Sequence, residues 1–300
     1  MSKVLKGYLM AIGAFIIWGV LPLYWKAVNS SDSFEVLSHR IVWSCVLLWA
    51  VSLLLNRKSL FEAFKKRSTL ITLIVSSLLI SLNWVVYIFA VNAGFTVQCS
   101  LGYYINPLLN VVLGIIFFNE KLDLSGKIAV GLACIGVLYL TVGYGSFPYI
   151  SFVLAGTFGF YGMLKKRLAM DSLNSLFVET LLVGPLALGY LLFLEMNGNA
   201  YFLHDTGLND FLFLFAGVVT TVPLFLYNEG AKHIPYSTMG FLQYIGPSLM
   251  LLIGVFFFGE DFTSSHAISF GFIWSALAIY SGGKIIAARK IKKASLEEVV

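Results

Sequence analysis

Ten apolar stretches, each long enough to cross roughly 30 Å of hydrocarbon, recur along the chain with only short polar breaks between them. They cover approximately 7–28, 35–55, 70–92, 97–118 and 125–141, then 149–164, 174–195, 208–229, 237–258 and 264–283. With 59% of 300 residues hydrophobic and only 12% charged, a single water-soluble core could not take in so much apolar surface. Lipid is the solvent this pattern requires, and an all-α integral membrane protein of ten transmembrane helices is the expected fold class.

Lys and Arg resist translocation, so loop charge sets orientation. One side of the membrane collects every basic residue except Lys26 and Arg40: Lys3 and Lys6, then Arg57, Lys58, Lys65, Lys66 and Arg67, then Lys121, Lys127, Lys165, Lys166, Arg167 and Lys232, and finally Lys284 and the tail from Arg289 to Lys293. Loops on the other side carry the acids Asp32, Asp205, Asp210 and Asp261. One span more or fewer would swap the sides of every later loop and destroy this division. Both termini are therefore expected in the cytoplasm. The net charge of +5 is scattered between apolar segments instead of forming one basic stripe, which fits anionic lipid headgroups and not a nucleic acid. The first stretch follows Lys3 and Lys6 as a secretory signal would, yet no small-x-small cleavage site comes after it, so it reads as a retained helix. Cys45, Cys99 and Cys134 are far apart, and neither disulfide, metal nor cofactor is expected.

The chain also repeats itself at an offset of about 140 residues, the mark of duplicated transporter halves. Tyr104-Ile105-Asn106-Pro107 returns as Tyr244-Ile245-Gly246-Pro247, followed by Leu109 with Leu249, Gly114 with Gly254, Phe117-Phe118 with Phe257-Phe258 and Glu120 with Glu260. The same spacing pairs Gly19 with Gly159, Lys26 with Lys166, Tyr87 with Tyr227 and Gly131 with Gly271. Residues 1–143 and 144–284 form the two expected five-helix repeats, and 285–300 a basic cytoplasmic tail. Five is odd, so the second copy enters the membrane from the opposite side and the repeats are inverted. Inverted repeats supply one conformation open to each side, the basis of alternating access.

Pro107 and Pro247 fall near the midpoints of the fourth and ninth stretches, where each removes a backbone hydrogen bond and kinks its helix. The freed carbonyls belong to Tyr103 and Gln243, and the two kinks are expected to face each other across the substrate route. Tyr103, Tyr104, Asn106, Asn110, Gln243 and Tyr244 gather at that depth. Amides and phenols there suit a neutral or zwitterionic ligand. Trp18, Asn83, Trp84, Tyr87 and Tyr161 are the expected remainder of the substrate wall, its aromatic faces favouring ring-bearing or cationic compounds. Charges within the hydrocarbon are rarer and more telling. Arg40 lies beside His39 in the second stretch, and Glu179, equivalent to His39 in the repeat, lies in the seventh. These three are the expected gating or coupling residues, guarding opposite ends of a cavity, with His39 or Glu179 exchanging a proton. Glu120 and Glu260 end their spans, where capping or packing is the expected role.

Ile17-Trp18-Gly19 with Pro22 and Lys26, His39-Arg40 with Trp43-Ser44, Asn83-Trp84, Ser100 to Pro107, Thr220-Thr221-Val222-Pro223 and Gly240 to Pro247 together resemble the RarD-type permeases of the EamA family. The resemblance extends over all ten stretches. It implies the EamA fold of the drug/metabolite transporter superfamily: a multi-pass bacterial inner-membrane permease, monomer or homodimer, with a central cavity for a small-molecule substrate. The group is usually suspected of export and carries a chloramphenicol-resistance association. No H-E-x-x-H, G-x-G-D, P-loop or dinucleotide fingerprint occurs, so an enzyme or an ATP-driven pump is not expected. A membrane ligand sensor is the alternative, although a sensor has no need of two equivalent gates.

Overall fold

The computed structural model describes residues 2–28, 32–54, 66–93, 95–143, 145, 147–259 and 262–297. Arg57, Lys58, Lys65, Glu260 and Asp261, and the side chains of Arg289, Lys290, Lys292 and Lys293, lie outside what is described. Within these limits the fold is entirely helical: α1 Lys3–Ala27, α2 Ser33–Leu54, α3 Arg67–Asn92, α4 Thr96–Phe118, α5 Leu124–Gly143, α6 Tyr149–Arg167, α7 Ser172–Met196, α8 Gly207–His233, α9 Tyr236–Gln243, α10 Ile245–Phe258 and α11 Ser264–Glu297. The pair α9 and α10 makes up one span, interrupted at Tyr244. Ten spans result.

Nine of them, among the described residues, are apolar enough to cross a bilayer by length and composition alone. The exception, α6, closes on Lys165, Lys166 and Arg167. It can be less apolar than the rest because it packs among α3, α4 and α8 and so faces protein more than lipid. The last helix runs on to Glu297, beyond the expected end of its span near residue 283.

The helix ends follow local chemistry. Ser2, Asp171 and Thr206 accept hydrogen bonds from first-turn backbone N–H groups of α1, α7 and α8, occupying donors that would otherwise have no partner. Asn119 and Gly259 end α4 and α10 in the left-handed conformation, at φ 52° and 70°; they occupy the same place in the two halves. Asn and Gly tolerate that conformation best. The repeat holds at the helix starts as well: Thr96 of α4 matches Tyr236 of α9, and Leu124 of α5 matches Ser264 of α11.

Packing joins the halves far more than it separates them. The principal contacts are α1 with α8 and α10, α2 with α7 and α8, α3 with α6, α4 with α6 and α9, and α5 with α11. Each pairs a helix of one half with a helix of the other. Polar side chains collect along these seams, with Ser44, Ser76, Asn106, Asn110, Thr220 and Asn228 all buried, while Leu54, Leu138, Leu186 and Phe256 are exposed. Lipid offers no hydrophobic gain for burying leucine, so small residues that allow close backbone approach hold membrane helices together. Gly217 of α8 meets the backbone of α2, where an added Cβ would lie 2.5 Å from the Trp43 carbonyl carbon and 2.8 Å from the Ser44 nitrogen. Ser44 Oγ donates to the Gly217 carbonyl at 3.2 Å across the same contact.

Gly217→Ala is expected to force α2 and α8 apart and lower the melting temperature in detergent by several degrees. Gly131→Ala, whose Cβ would meet nothing within 4 Å, is expected to leave it unchanged. Equal melting temperatures for the two variants would remove the α2–α8 approach as a source of stability.

Candidate functional site

A cavity of about 400 Å³ opens between the halves, within the size range of small-molecule sites. Phe15, Trp18, Pro22 and Trp25 reach it from one face of α1, and Cys99, Gly102, Tyr103 and Asn106 from one face of α4. Arg40 of α2, Asn83, Trp84 and Tyr87 of α3, Leu154 and Phe158 of α6, and Thr220 and Leu224 of α8 complete the sides. The α9–α10 junction contributes Gln243, Gly246, Pro247 and Met250.

That junction is a product of proline chemistry. Pro247 has no N–H, and it sits in the first turn of α10, where a backbone donor would lack a helical partner anyway. Tyr244 N–H accordingly reaches back to the Phe241 carbonyl at 3.3 Å, and Pro247 is left on the cavity wall. Pro107 behaves differently: it stays inside the continuous helix α4 and off the wall, with its carbonyl against Gly240. The two prolines therefore do not face each other across the cavity.

An amide ladder holds the floor. Asn110 Nδ2 donates to Asn106 Oδ1 at 3.1 Å and to Gln243 Oε1 at 2.7 Å, and Asn106 Nδ2 donates to the Ala155 carbonyl at 2.6 Å. These bonds tie α4 to α6 and α9. Asn110 is buried behind the wall, as the support of the two amides that line it. Asn83 Nδ2 divides its donors between the Leu154 carbonyl and Thr157 Oγ1, both at 2.8 Å. Arg40 does not turn toward the membrane surface. Its Nε donates to Thr220 Oγ1 at 3.0 Å, and its Cζ lies 4.9 Å from the ring centroids of both Trp25 and Trp84.

Trp18, Asn83, Trp84, Tyr87, Tyr103, Asn106, Gln243, Arg40 and Pro247 are thus brought together around one space. The other residues singled out in the sequence are not. Tyr104 and Tyr244 belong to the packing of α4 and α9 on α11: Tyr104 meets the Phe270 ring at 5.4 Å, and Tyr244 Oη donates to the Tyr104 carbonyl at 3.2 Å. His39 is buried between Phe202 and Phe213, at 4.7 and 4.6 Å, and accepts from Trp43 Nε1 at 3.0 Å. Glu120 accepts from the Tyr236 and Ser237 N–H groups at 2.6 and 2.8 Å, capping α9.

Tyr161 and Glu179 stand at the opposite end of the bundle, which is closed. Tyr161, Tyr227 and Tyr236 are fully buried there. Asn228 Nδ2 donates to Tyr161 Oη at 3.3 Å, Tyr227 and Tyr236 share a 3.3 Å contact, and Tyr236 Oη donates to the Gly159 carbonyl at 2.7 Å. Lys165, which the sequence places among the cytoplasmic loop cations, is instead buried in an ion pair with Glu179 at 3.0 Å. Ser76 donates to the same carboxylate, and Lys165 Nζ donates to Ser175 Oγ at 2.6 Å. The 140-residue offset maps the closed end onto the open one at Tyr161 and Leu21, Lys165 and Trp25, and Tyr227 and Tyr87, and pairs Glu179 with His39; Trp18 and Phe158, also equivalent, both line the cavity and meet at 5.7 Å. Sequence reasoning missed Phe15, Trp25, Phe158, Thr220 and Lys165. The helical spacing 15, 18, 22, 25 along α1, projected through the repeat, would have found four of these five.

The sequence profile of the EamA-like transporter family matches the chain twice, over residues 5–142 and 147–282. The chain belongs to this family. Among its relatives are an uncharacterized transporter of Bacillus subtilis (strain 168), YojE, 43% identical with 97% of each chain covered, and Protein RarD of Escherichia coli (strain K12), 36% identical with 96% of this chain and 98% of the relative covered. A Pseudomonas aeruginosa relative named chloramphenicol-sensitive protein RarD is 28% identical, with 91% and 93% covered. One solved crystal structure superposes with a TM-score of 0.71 over 91% of this chain and 96% of the other, at 16% identity, and so shares its fold. The chain is thus a multi-pass membrane protein of a transporter family, built as two inverted five-helix repeats.

In a background free of native cysteines, Tyr103→Cys is expected to react with a water-soluble maleimide at least tenfold faster than Tyr161→Cys. Equal rates would mean that the two ends of the bundle do not differ in access.

Proposed function

We propose that this EamA-family protein is a bacterial inner-membrane permease that moves a small molecule through the central cavity by alternating access. In this reading residues 1–143 and 144–284 are the exchanging halves, 285–300 is a cytoplasmic tail, and both termini are cytoplasmic. One observation carries the proposal: Tyr161, Lys165 and Tyr227 of the closed end have Leu21, Trp25 and Tyr87 of the cavity wall as their equivalents in the other half. Exchanging the conformations of the halves would open the plug and close the present mouth, giving the bound molecule access to the other compartment. Trp18, Asn83, Trp84, Tyr87, Tyr103, Asn106 and Gln243 are its contacts in this scheme, with Asn110 behind them. In this reading the open mouth faces outward and the plug faces the cytoplasm, the side on which the loop cations collect.

The Lys165–Glu179 pair is the lock of the cytoplasmic gate. It joins α6 to α7, with Ser76 of α3 as a third member. Protonating Glu179 would leave the Lys165 ammonium without a counter-anion and loosen the seal, which couples gate opening to a proton. Export driven by the proton gradient is the proposed direction, in keeping with the resistance-type associations of the group. A sensor would bind a ligand in the same cavity and move nothing, and reconstituted vesicles distinguish the two.

Glu179→Gln strips a buried cation of its partner, a change that typically costs about 3–5 kcal/mol. The single variant is expected to melt lower, to lose gradient-driven transport at least tenfold and to show a flattened pH profile. The double variant Glu179→Gln/Lys165→Met is expected to regain stability without regaining coupling. A wild-type pH profile in the double variant would take Glu179 out of the coupling step.

A further inference from the structure

The charge of the cavity is one-sided. Among the described residues no Asp or Glu lines it, and no carboxylate lies within ion-pair distance of Arg40. An arginine at membrane depth ordinarily has an acid beside it, because a cation left alone there is costly. Here the guanidinium is held in place by groups that do not neutralise it. Thr220 takes the Nε–H, and Trp25 and Trp84 flank the cation. The four N–H bonds on the two terminal nitrogens have no acceptor among the described residues, and those nitrogens form the fork that matches a carboxylate in two parallel hydrogen bonds. Gln243 points the same way: its Oε1 is taken by Asn110, while its Nε2 donates to no described residue. Among the described residues of this wall Arg40 is the only charged side chain.

We infer that the cavity is a site for an organic monoanion with a planar or aromatic body, its carboxylate seated on the Arg40 fork and its ring among Trp18, Trp84 and Phe158. This rests on the permease reading in taking the cavity as the place where the transported molecule sits. It replaces the neutral, zwitterionic or cationic ligand expected from the amides and rings alone. A free ammonium would find no carboxylate in the cavity and would meet the Arg40 charge. An uncharged amide would leave that charge uncompensated.

The test is calorimetric titration of the purified chain in lipid nanodiscs with four compounds sharing one skeleton: 3-phenylpropionate, 3-phenylpropionamide, phenylalanine and 3-phenylpropylamine. The acid is expected to bind at least tenfold tighter than each of the others. Arg40→Gln is expected to erase that preference, and Arg40→Lys, which keeps the charge and loses the fork, to retain only part of it. An amide or amine that binds as tightly as the acid overturns the inference, as does an acid that fails to bind the folded protein or binds Arg40→Lys with undiminished affinity. Uptake into proteoliposomes separates this result from the permease reading. An acid bound through Arg40 but never moved upholds the anion site and removes the permease; a compound moved through the cavity with no dependence on Arg40 does the reverse.

Discussion

Every polar group within the bilayer must find its partner in protein or in enclosed water, because lipid supplies none. This constraint organises the molecule. Asparagines, serines and threonines are drawn to the seams between helices, and the main seams join the two halves. The Asn106–Asn110–Gln243 ladder crosses from α4 to α9, and Asn83 crosses from α3 to α6. Neither half could satisfy these groups alone, so the repeats fold as one interleaved bundle and the cavity forms where they meet.

The same constraint explains why the two ends differ. At the closed end, Tyr161 with Asn228, Tyr227 with Tyr236, and Lys165 with Glu179 hold buried polar groups in bonded pairs. Such a network is strong while complete and weak once a member is lost, a property suited to a gate. At the open end, the positions equivalent to Tyr161, Lys165 and Tyr227 hold Leu21, Trp25 and Tyr87, which have fewer polar demands and line a space between them. The repeat thus places a bond-rich arrangement and a bond-poor one in corresponding positions.

Much of this was legible in the sequence. The spans were legible as apolar stretches because about twenty residues of helix match the hydrocarbon thickness, α6 being the least apolar of the ten, and the offset between the two Pro-containing strings revealed the duplication. Which residues face the cavity was harder. Tyr103 and Tyr104 are neighbours in sequence, yet one residue turns the helix by about 100°, so Tyr103 joins the cavity face with Gly102 and Asn106 while Tyr104 turns to α11. Lys165 was legible only through its repeat partner Trp25, not from its own place in the chain. A lysine near a span end usually snorkels to the surface, and only the rotational setting of α6 against α7 brings it to Glu179. Arg40 was visible as an intramembrane charge, but its seat between Trp25 and Trp84 depends on how α1, α2 and α3 pack.

The central claim is that the two halves exchange conformations, and distances between paired spin labels in lipid nanodiscs test it most directly. One pair, at Ser33 and Tyr149, reports on the mouth; the other, at Leu173 and Leu9, occupies the equivalent positions at the sealed end. The account predicts two populations for each pair, with the state that shortens the first distance lengthening the second. A single distance for both pairs under all ligand and pH conditions, or two distances that rise and fall together, would contradict it.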